Sequence, residues 1–291
     1  MKNCIVKINE SYSSLSRQEK LIANYILKHK KEASTMTVVE LSKKSKASPA
    51  TIVRFCNALG FEGYREFVRA LYHDAESGLD QEQNVYTVNN DVIETLNIGE
   101  TINVVSKINI EAIENTLKII SEKEVEKAVD LIDKAKRVKI FALSGSTVVG
   151  DDAVFKFERL GIDCQNYTTP HSQILAASIM QQDEVAILIS YTGETNDIIV
   201  IANYLKKAGC KSIGISRFGE NSLSKLVDVN LQHSSVGKGI RTYSTRSRVV
   251  QHNIIDILFV ALCQRRKKNL KKYYELFKDN PVDYVAPNDM K

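Results

Sequence analysis

The sequence predicts two domains, an all-α helix-turn-helix unit and then a three-layer α/β unit on a five-stranded parallel sheet. Three observations carry this. Apolar residues recur at helical spacing through the first 75 residues. From about residue 138, short β-rich runs alternate with helical stretches, the pattern of parallel strands joined by crossover helices. A chain of 291 residues, 43% hydrophobic and 26% charged, has room for about two ordinary cores.

In the first unit, Ser14 or Ser16 is placed to cap a helix carrying Leu21, Ile22, Tyr25 and Ile26. A short helix fits Val38 to Ser45, with Val38, Val39 and Leu41 turned inward. Ser48 is a good N-cap, and Pro49 suits the first helical position, where its missing N–H would be unpaired anyway. That helix runs through Ile52, Val53, Phe55, Cys56 and Leu59 and stops at Gly60. Another begins near Gly63 and carries Tyr64, Phe67, Val68 and Leu71.

Residues 76–98 are polar, rich in Asn, Gln and Asp, and read as a linker. Helical patterning returns from Glu100 to Ile120. Ser121 and Glu124 then have the spacing of a capping box for a helix reaching Lys134. Strands fit residues 138–143, 163–167, 184–190, 211–216 and 227–232. Helices fit 148–160, 171–180, 196–208 and Arg246 to Arg265. The expected division is 1–77, a linker and helix over 78–120, the α/β unit over 121–267, and a charged, peripheral tail over 268–291.

The remaining composition narrows the class. No apolar run reaches the ~20 residues that span a bilayer, so no membrane partner is expected. The opening MKNCIVKINESYS has no apolar core of a secretion signal, which points to the cytoplasm. Cys4, Cys56, Cys164, Cys210 and Cys263 are scattered, as are the His residues, so neither a zinc module nor a disulfide framework is expected. No metal or cofactor is expected. The net charge of +5 is unevenly placed. Residues 1–75 hold 13 Lys and Arg against 7 Asp and Glu, and the rest hold 27 against 28. A basic unit on a near-neutral one points to a polyanion reader, although a solvated basic surface gives the same count.

Two short helices and a tight turn let the second helix enter the major groove of DNA, its first residues meeting base edges. With Ile52, Val53, Phe55, Cys56 and Leu59 inward, Ala50, Thr51, Arg54, Asn57 and Ala58 face outward. Thr51, Arg54 and Asn57 can hydrogen-bond, and Arg54 can take guanine bidentately or grip a phosphate. Lys43, Lys44 and Lys46 sit in or beside the turn and suit phosphates. Ser48 caps the helix beside them, and Tyr64 and Arg65 open the next helix for a similar role. Cys56, on the inner face, is expected in the core.

The string Ser48, Thr51, Ile52, Arg54, Phe55, Leu59, Gly60, Phe61, Gly63 and Tyr64 closely resembles the helix-turn-helix of RpiR-type transcriptional regulators, over residues 1 to about 75. The resemblance implies that Thr51 and Arg54 belong to the recognition helix. It also implies a double-stranded DNA operator, roughly palindromic if the protein is a two-fold dimer.

In the second unit, two strand ends carry hydroxyl-rich turns, Ser144-Gly145-Ser146-Thr147 and Ser190-Tyr191-Thr192-Gly193-Glu194-Thr195. Each opens a helix, whose first N–H groups and dipole attract anions. In a sheet of order 2-1-3-4-5, ligands bind where the order reverses, between strands one and three. Both turns follow those strands. Ser144, Ser146, Ser190, Thr192, Gly193 and Thr195 thus surround one expected pocket for a phosphate ester bearing hydroxyls. Glu194 and Asp197 lie beside it and could bond sugar hydroxyls. The plainer alternative is that Ser and Thr simply cap the two helices.

The second turn matches the S-x-[ST]-G-x-T pattern of the sugar isomerase (SIS) domain. The first is similar to that family's G-x-G-x-S loop, with Ala142 and Ser144 where glycines usually stand. Thr245-Arg246-Ser247-Arg248 and Asp256-Ile257-Leu258 resemble the SIS C-terminal helix. The resemblance covers about Val125 to Arg265 and implies a phosphosugar effector and a homodimer or homotetramer, with contacts from the SIS domain and the Glu100–Ile120 helix. The expected function is a transcriptional regulator, by default a repressor, whose operator affinity a phosphosugar controls.

The alternative is a phosphosugar isomerase with an accessory DNA-binding domain. Proton transfer between adjacent carbons needs a base and often a ring-opening group. Glu194, His171 and His252 are candidates, but no recognisable spacing pairs them, and no enzyme is expected. Arg241, Arg246 and Arg248 could reach a phosphate but are read as a solvated loop. No G-x-G-x-x-G follows the first strand, which argues against a dinucleotide site.

Overall fold

The computed structural model describes residues 4–12, 14–76, 97–235 and 245–278. The expected linker and Arg241 fall largely or wholly outside these residues, as do the side chains of Thr245 and Arg246. The first unit holds α1 (Cys4–Ser11), α2 (Arg17–Lys28), α3 (Lys30–Ala33), α4 (Val38–Ser45), α5 (Pro49–Ala58) and α6 (Tyr64–Glu76). A long α7 (Ile98–Ile119) follows. The second unit runs α8 (Glu122–Lys134), β1 (Arg137–Ala142), a 3-10 turn (Ser144–Ser146), α9 (Thr147–Glu158), β2 (Cys164–Tyr167), α10 (Pro170–Ser178), β3 (Glu184–Ile189), α11 (Asn196–Ala208), β4 (Lys211–Arg217), β5 (Val229–His233), α12 (Thr245–Arg265) and α13 (Lys267–Lys278).

Local chemistry starts most helices where the sequence places them. Ser16, not Ser14, caps α2, in a reciprocal box with Glu19. Thr37 with Glu40 and Asn97 with Glu100 do the same for α4 and α7. Ser48 accepts from the Thr51 N–H, with Pro49 in the first turn of α5. The box expected at Ser121 is only half made. Ser121 accepts from the Glu124 N–H, but the Glu124 carboxylate turns to Lys127 at 2.6 Å.

The strands form one parallel sheet in the order β2-β1-β3-β4-β5. β1 and β3 pair from Arg137↔Glu184 to Ala142↔Ile189. β3 is buried along its whole length, as a sheet covered on both faces requires. One face packs Ala128, Ile132, Phe157, Ile254 and Leu258 against Ile140, Ile187 and Ile213. The other packs Ala176, Ile198, Ile201 and Leu205 against Phe141 and Leu188. The first unit has its own core of Ile22, Ile26, Leu41, Ile52, Phe55, Leu59, Phe67 and Leu71.

Two elements differ from those expected. The helix α1 was not expected. Cys4 and Ile8 join the core of the first unit, while Val6 buries with Ile119 of α7 and Phe218 of the second unit. The expected tail begins as the helix α13, held to the body by Asn269, which donates to the Leu160 carbonyl at 3.1 Å.

Candidate functional site

The helix-turn-helix is built by α4 and α5. Between them Lys46 takes a left-handed φ of 56°, and Ser42 donates to the Ala47 carbonyl at 2.7 Å. These two features fold the turn tightly. Lys43, Lys44, Lys46, Ser48, Arg54, Asn57 and Arg65 are exposed. Lys44 also meets Glu32 at 3.4 Å.

Three expectations on this surface are corrected. Thr51, expected outward, is only 9% exposed. Its hydroxyl lies 2.9 Å from the Ser48 hydroxyl and accepts from the Arg54 guanidinium at 3.4 Å. The Thr51 hydroxyl is thus engaged at the start of its own helix. Val53, expected inward, is 39% exposed, and Val39 is 53% exposed. Both sit at the edge of the apolar stripe and face solvent. Tyr64 is half-buried and donates its hydroxyl to the Met36 carbonyl at 2.9 Å. Burial pushes that phenol up to about 12. The Tyr64 hydroxyl bond ties α6 to the chain just before α4. Cys56 is buried, as expected, with a thiol pushed up to about 12.

The second site lies at the carboxyl ends of β1 and β3, where the sheet order reverses. The Ala142↔Ile189 pairing sets the Ser144–Ser146 turn and the 190–195 loop side by side. Ser146 precedes α9 and Thr195 precedes α11, yet neither hydroxyl caps its own helix. Ser146 donates to the side-chain amide oxygen of Gln251 on α12 at 3.1 Å. The Thr195 hydroxyl lies 2.8 Å from that of Ser190, which also accepts from the Gly193 N–H at 3.2 Å. Thr192 accepts from the Glu194 N–H at 3.2 Å. The structure thus brings Ser190, Thr192, Gly193 and Thr195 into one loop, adjoining the turn of Ser144 and Ser146.

The chain between β4 and β5 braces this loop, a feature sequence reading missed. Gly193 has a φ of +70°, and a Cβ there would lie 2.1 Å from Asn221 Oδ1. Leu223 donates its N–H to the Gly193 carbonyl at 3.0 Å. The Glu194 carboxylate accepts from the Ser222 N–H at 3.0 Å and its hydroxyl at 2.6 Å. The Ser222 hydroxyl bond holds it below the usual carboxylate range. The only signal for this in the sequence is a polar run, Glu220-Asn221-Ser222.

Ser144 stands at a left-handed φ of 51°. The usual family glycine suits that conformation, and a serine there is strained. The isomerase candidates are dispersed among other tasks. Glu194 is held by Ser222. His252 Nδ1 lies 3.0 Å from Asp152, which also accepts from Lys156 at 2.6 Å. His171 is exposed in the first turn of α10. Among the described residues, no group of three His, Cys, Asp or Glu could hold a metal ion. No helix there is long and apolar enough to cross a membrane.

A DNA-reading helical unit joined to a doubly wound sheet with a hydroxyl-rich switch point defines a class of two-domain regulators. Comparison with known proteins places the chain within it. The profile of the rpiR-family helix-turn-helix domain matches residues 2–78, and that of the SIS domain matches residues 131–261. An uncharacterised HTH-type transcriptional regulator of Caldanaerobacter subterraneus subsp. tengcongensis is 30% identical over 94% of this chain and 95% of its own length. Another, YbbH of Bacillus subtilis, is 28% identical over 90% of both. The structure of Vibrio vulnificus NanR complexed with ManNAc-6P superposes with a TM-score of 0.57 at 20% identity, covering 95% of this chain and 98% of that one. The protein belongs to the RpiR family of helix-turn-helix transcriptional regulators with a C-terminal SIS domain.

Proposed function

We propose that this regulator binds a phosphosugar at the 190–195 loop and the 144–146 turn, and that binding changes its affinity for a DNA operator. The observation that carries the effector site is the pair of helix starts whose cap hydroxyls are turned elsewhere. Helix N-termini with uncapped N–H groups and adjacent hydroxyls suit a phosphate. The NanR complex with ManNAc-6P supports a sugar phosphate as the ligand class. The expected contacts are Ser144, Ser146, Ser190, Thr192, Gly193 and Thr195.

On DNA, Arg54 and Asn57 read bases, while Lys43, Lys44, Lys46 and Arg65 hold phosphates. Ser48 and Thr51 position Arg54, and Tyr64 supports the turn. Two copies, in a homodimer or homotetramer, would present recognition helices about 34–36 Å apart to a rough palindrome. The chain acts in the cytoplasm as a repressor, without cofactor and without catalysis. The commitments of Glu194 to Ser222 and His252 to Asp152 support ligand binding over isomerisation.

The test is operator affinity measured with and without sugar phosphates, on DNA selected from genomic fragments by the purified protein. A shift within the roughly 5- to 150-fold range of typical allosteric coupling is expected. Sequence-specific binding that no sugar phosphate alters would overturn the effector reading.

A further inference from the structure

Helix α1 belongs to the DNA-binding unit, yet one carboxylate seats it on the SIS domain. Glu10 is 5% exposed. It accepts a hydrogen bond from the Ser234 hydroxyl, just past β5, and two more from Ser235, from its N–H at 2.7 Å and its hydroxyl at 3.1 Å. The Ser234 N–H donates to the Thr116 hydroxyl on α7 at 3.1 Å. Val6, Ile119 and Phe218 bury together beside these polar contacts. The first helix, the connecting helix and the ends of β4 and β5 meet at this junction.

The junction reaches the 190–195 loop by two routes. Tyr191 stacks on His233, with ring centroids 5.0 Å apart and planes at 17°. His233 is fully buried, with Nδ1 3.0 Å from the carbonyl of Ser234, the residue that bonds Glu10. Phe218, packed on α1, donates its N–H to the His233 carbonyl at 2.9 Å. Phe218 also begins the segment whose Asn221 and Ser222 brace Gly193 and Glu194. The path Tyr191, His233, Ser234, Glu10 is continuous.

We propose that this junction couples the two domains. Tyr191 carries the state of the loop to His233, and the hold of Ser234 and Ser235 on Glu10 carries it to the helix-turn-helix. This rests on the reading of 190–195 as the effector loop. A buried carboxylate stripped of one donor keeps its full desolvation cost, so the hold favours being wholly made or wholly broken. Coupling between sites requires such a two-state element, biased from both ends. A phosphate drawn toward the uncapped start of α11 acts on the 190–195 loop that leads into it, and so on Tyr191, the neighbour of Ser190. Tyr191 and Glu10 are positioning residues in this account.

The test is hydrogen exchange of the full-length protein without sugar or DNA, so an unsuccessful effector search leaves its outcome intact. The variants are Tyr191→Ala, Tyr191→Phe, Glu10→Gln and the Tyr191→Ala/Glu10→Gln double. Tyr191→Leu, which keeps bulk but not the ring, replaces the alanine variant if that one fails to fold. Tyr191→Ala is expected to speed exchange in α1 by roughly 5- to 150-fold, the range of typical coupling. Tyr191→Phe keeps the stack and is expected to match the parent. Glu10→Gln is expected to speed exchange both in α1 and across 190–195, and the double variant to exceed neither single. The proposal is overturned if the loss of the ring loosens only 190–195, if Glu10→Gln loosens only α1, or if the two effects add.

Discussion

Gly193 is the tightest point of the 190–195 loop, and its replacement by alanine should be costly in a specific way. A Cβ at this position would lie 2.1, 2.3 and 2.9 Å from Oδ1, Cγ and Cβ of Asn221. Asn221 cannot step aside freely. Its amide donates to the Ser216 hydroxyl at 3.1 Å, the Arg217 carbonyl at 3.2 Å and the Gly219 carbonyl at 3.3 Å. Its Oδ1 accepts from the Ser224 N–H at 2.9 Å. Forcing a side chain into the left-handed region costs about 1–2 kcal/mol. Displacing Asn221 forfeits hydrogen bonds worth about 1 kcal/mol each. Gly193→Ala is therefore expected to lose about 3–5 kcal/mol in urea unfolding. Asn221→Ala alone loses the bonds but leaves Gly193 relaxed. In the double variant the contacts with Oδ1 and Cγ are gone, leaving only the 2.9 Å approach of the two Cβ atoms, and the bonds are lost only once. It should be more stable than the sum of the singles by about 1–3 kcal/mol, the scale of coupling between touching residues. Additive losses would refute the steric argument.

Three further outcomes are expected. Arg54→Ala should weaken specific operator binding, by about 1–3 kcal/mol if the guanidinium reads guanine, while leaving sugar-phosphate binding intact. Anisotropy titrations at several salt concentrations check it, and unchanged affinity would remove Arg54 from the interface. Ser144→Gly relieves a left-handed serine and should raise the unfolding free energy by up to about 1 kcal/mol; a loss of stability would mean that the serine side chain makes a needed contact. Stability should also fall in acid because of His233, whose buried ring is held down to about 4 from its ordinary 6.5. Between those values the unfolded chain takes up a proton that the folded one refuses, so stability is lost as pH drops through the window. The loss is about 3 kcal/mol at most, at 1.36 kcal/mol per unit. His233→Gln should flatten that slope in melts run from pH 7 to 4, and an unchanged slope would assign it to other groups.

Most of the architecture was legible because it is written in local periods. Alternating β-rich and helical runs gave every strand to within two residues, and cap residues such as Ser48 and Pro49 set helix starts. The apolar stripe of α5 was read correctly at Ile52, Phe55, Cys56 and Leu59. It was misjudged at its edges, because hydrophobicity alone could not show that Thr51 would turn back to Ser48 while Val53 stayed out. The loops of the SIS domain were legible as motifs, and their brace was not. Asn221 acts on Gly193 through space across a turn, without a periodic signal. The seating of α1 was least visible, since Glu10 and Ser234 are 224 residues apart and only the folded chain brings them together.

The most direct test of the central claim is a thermal-shift screen of the purified protein against sugar phosphates and their unphosphorylated parents. The parent protein and the Ser190→Ala/Thr195→Ala variant are run side by side. A ligand at 100 times its Kd stabilises by about 2.7 kcal/mol. The account predicts a shift that requires the phosphate and disappears in the double variant. A shift that the double variant retains, or no shift from any sugar phosphate, would contradict it.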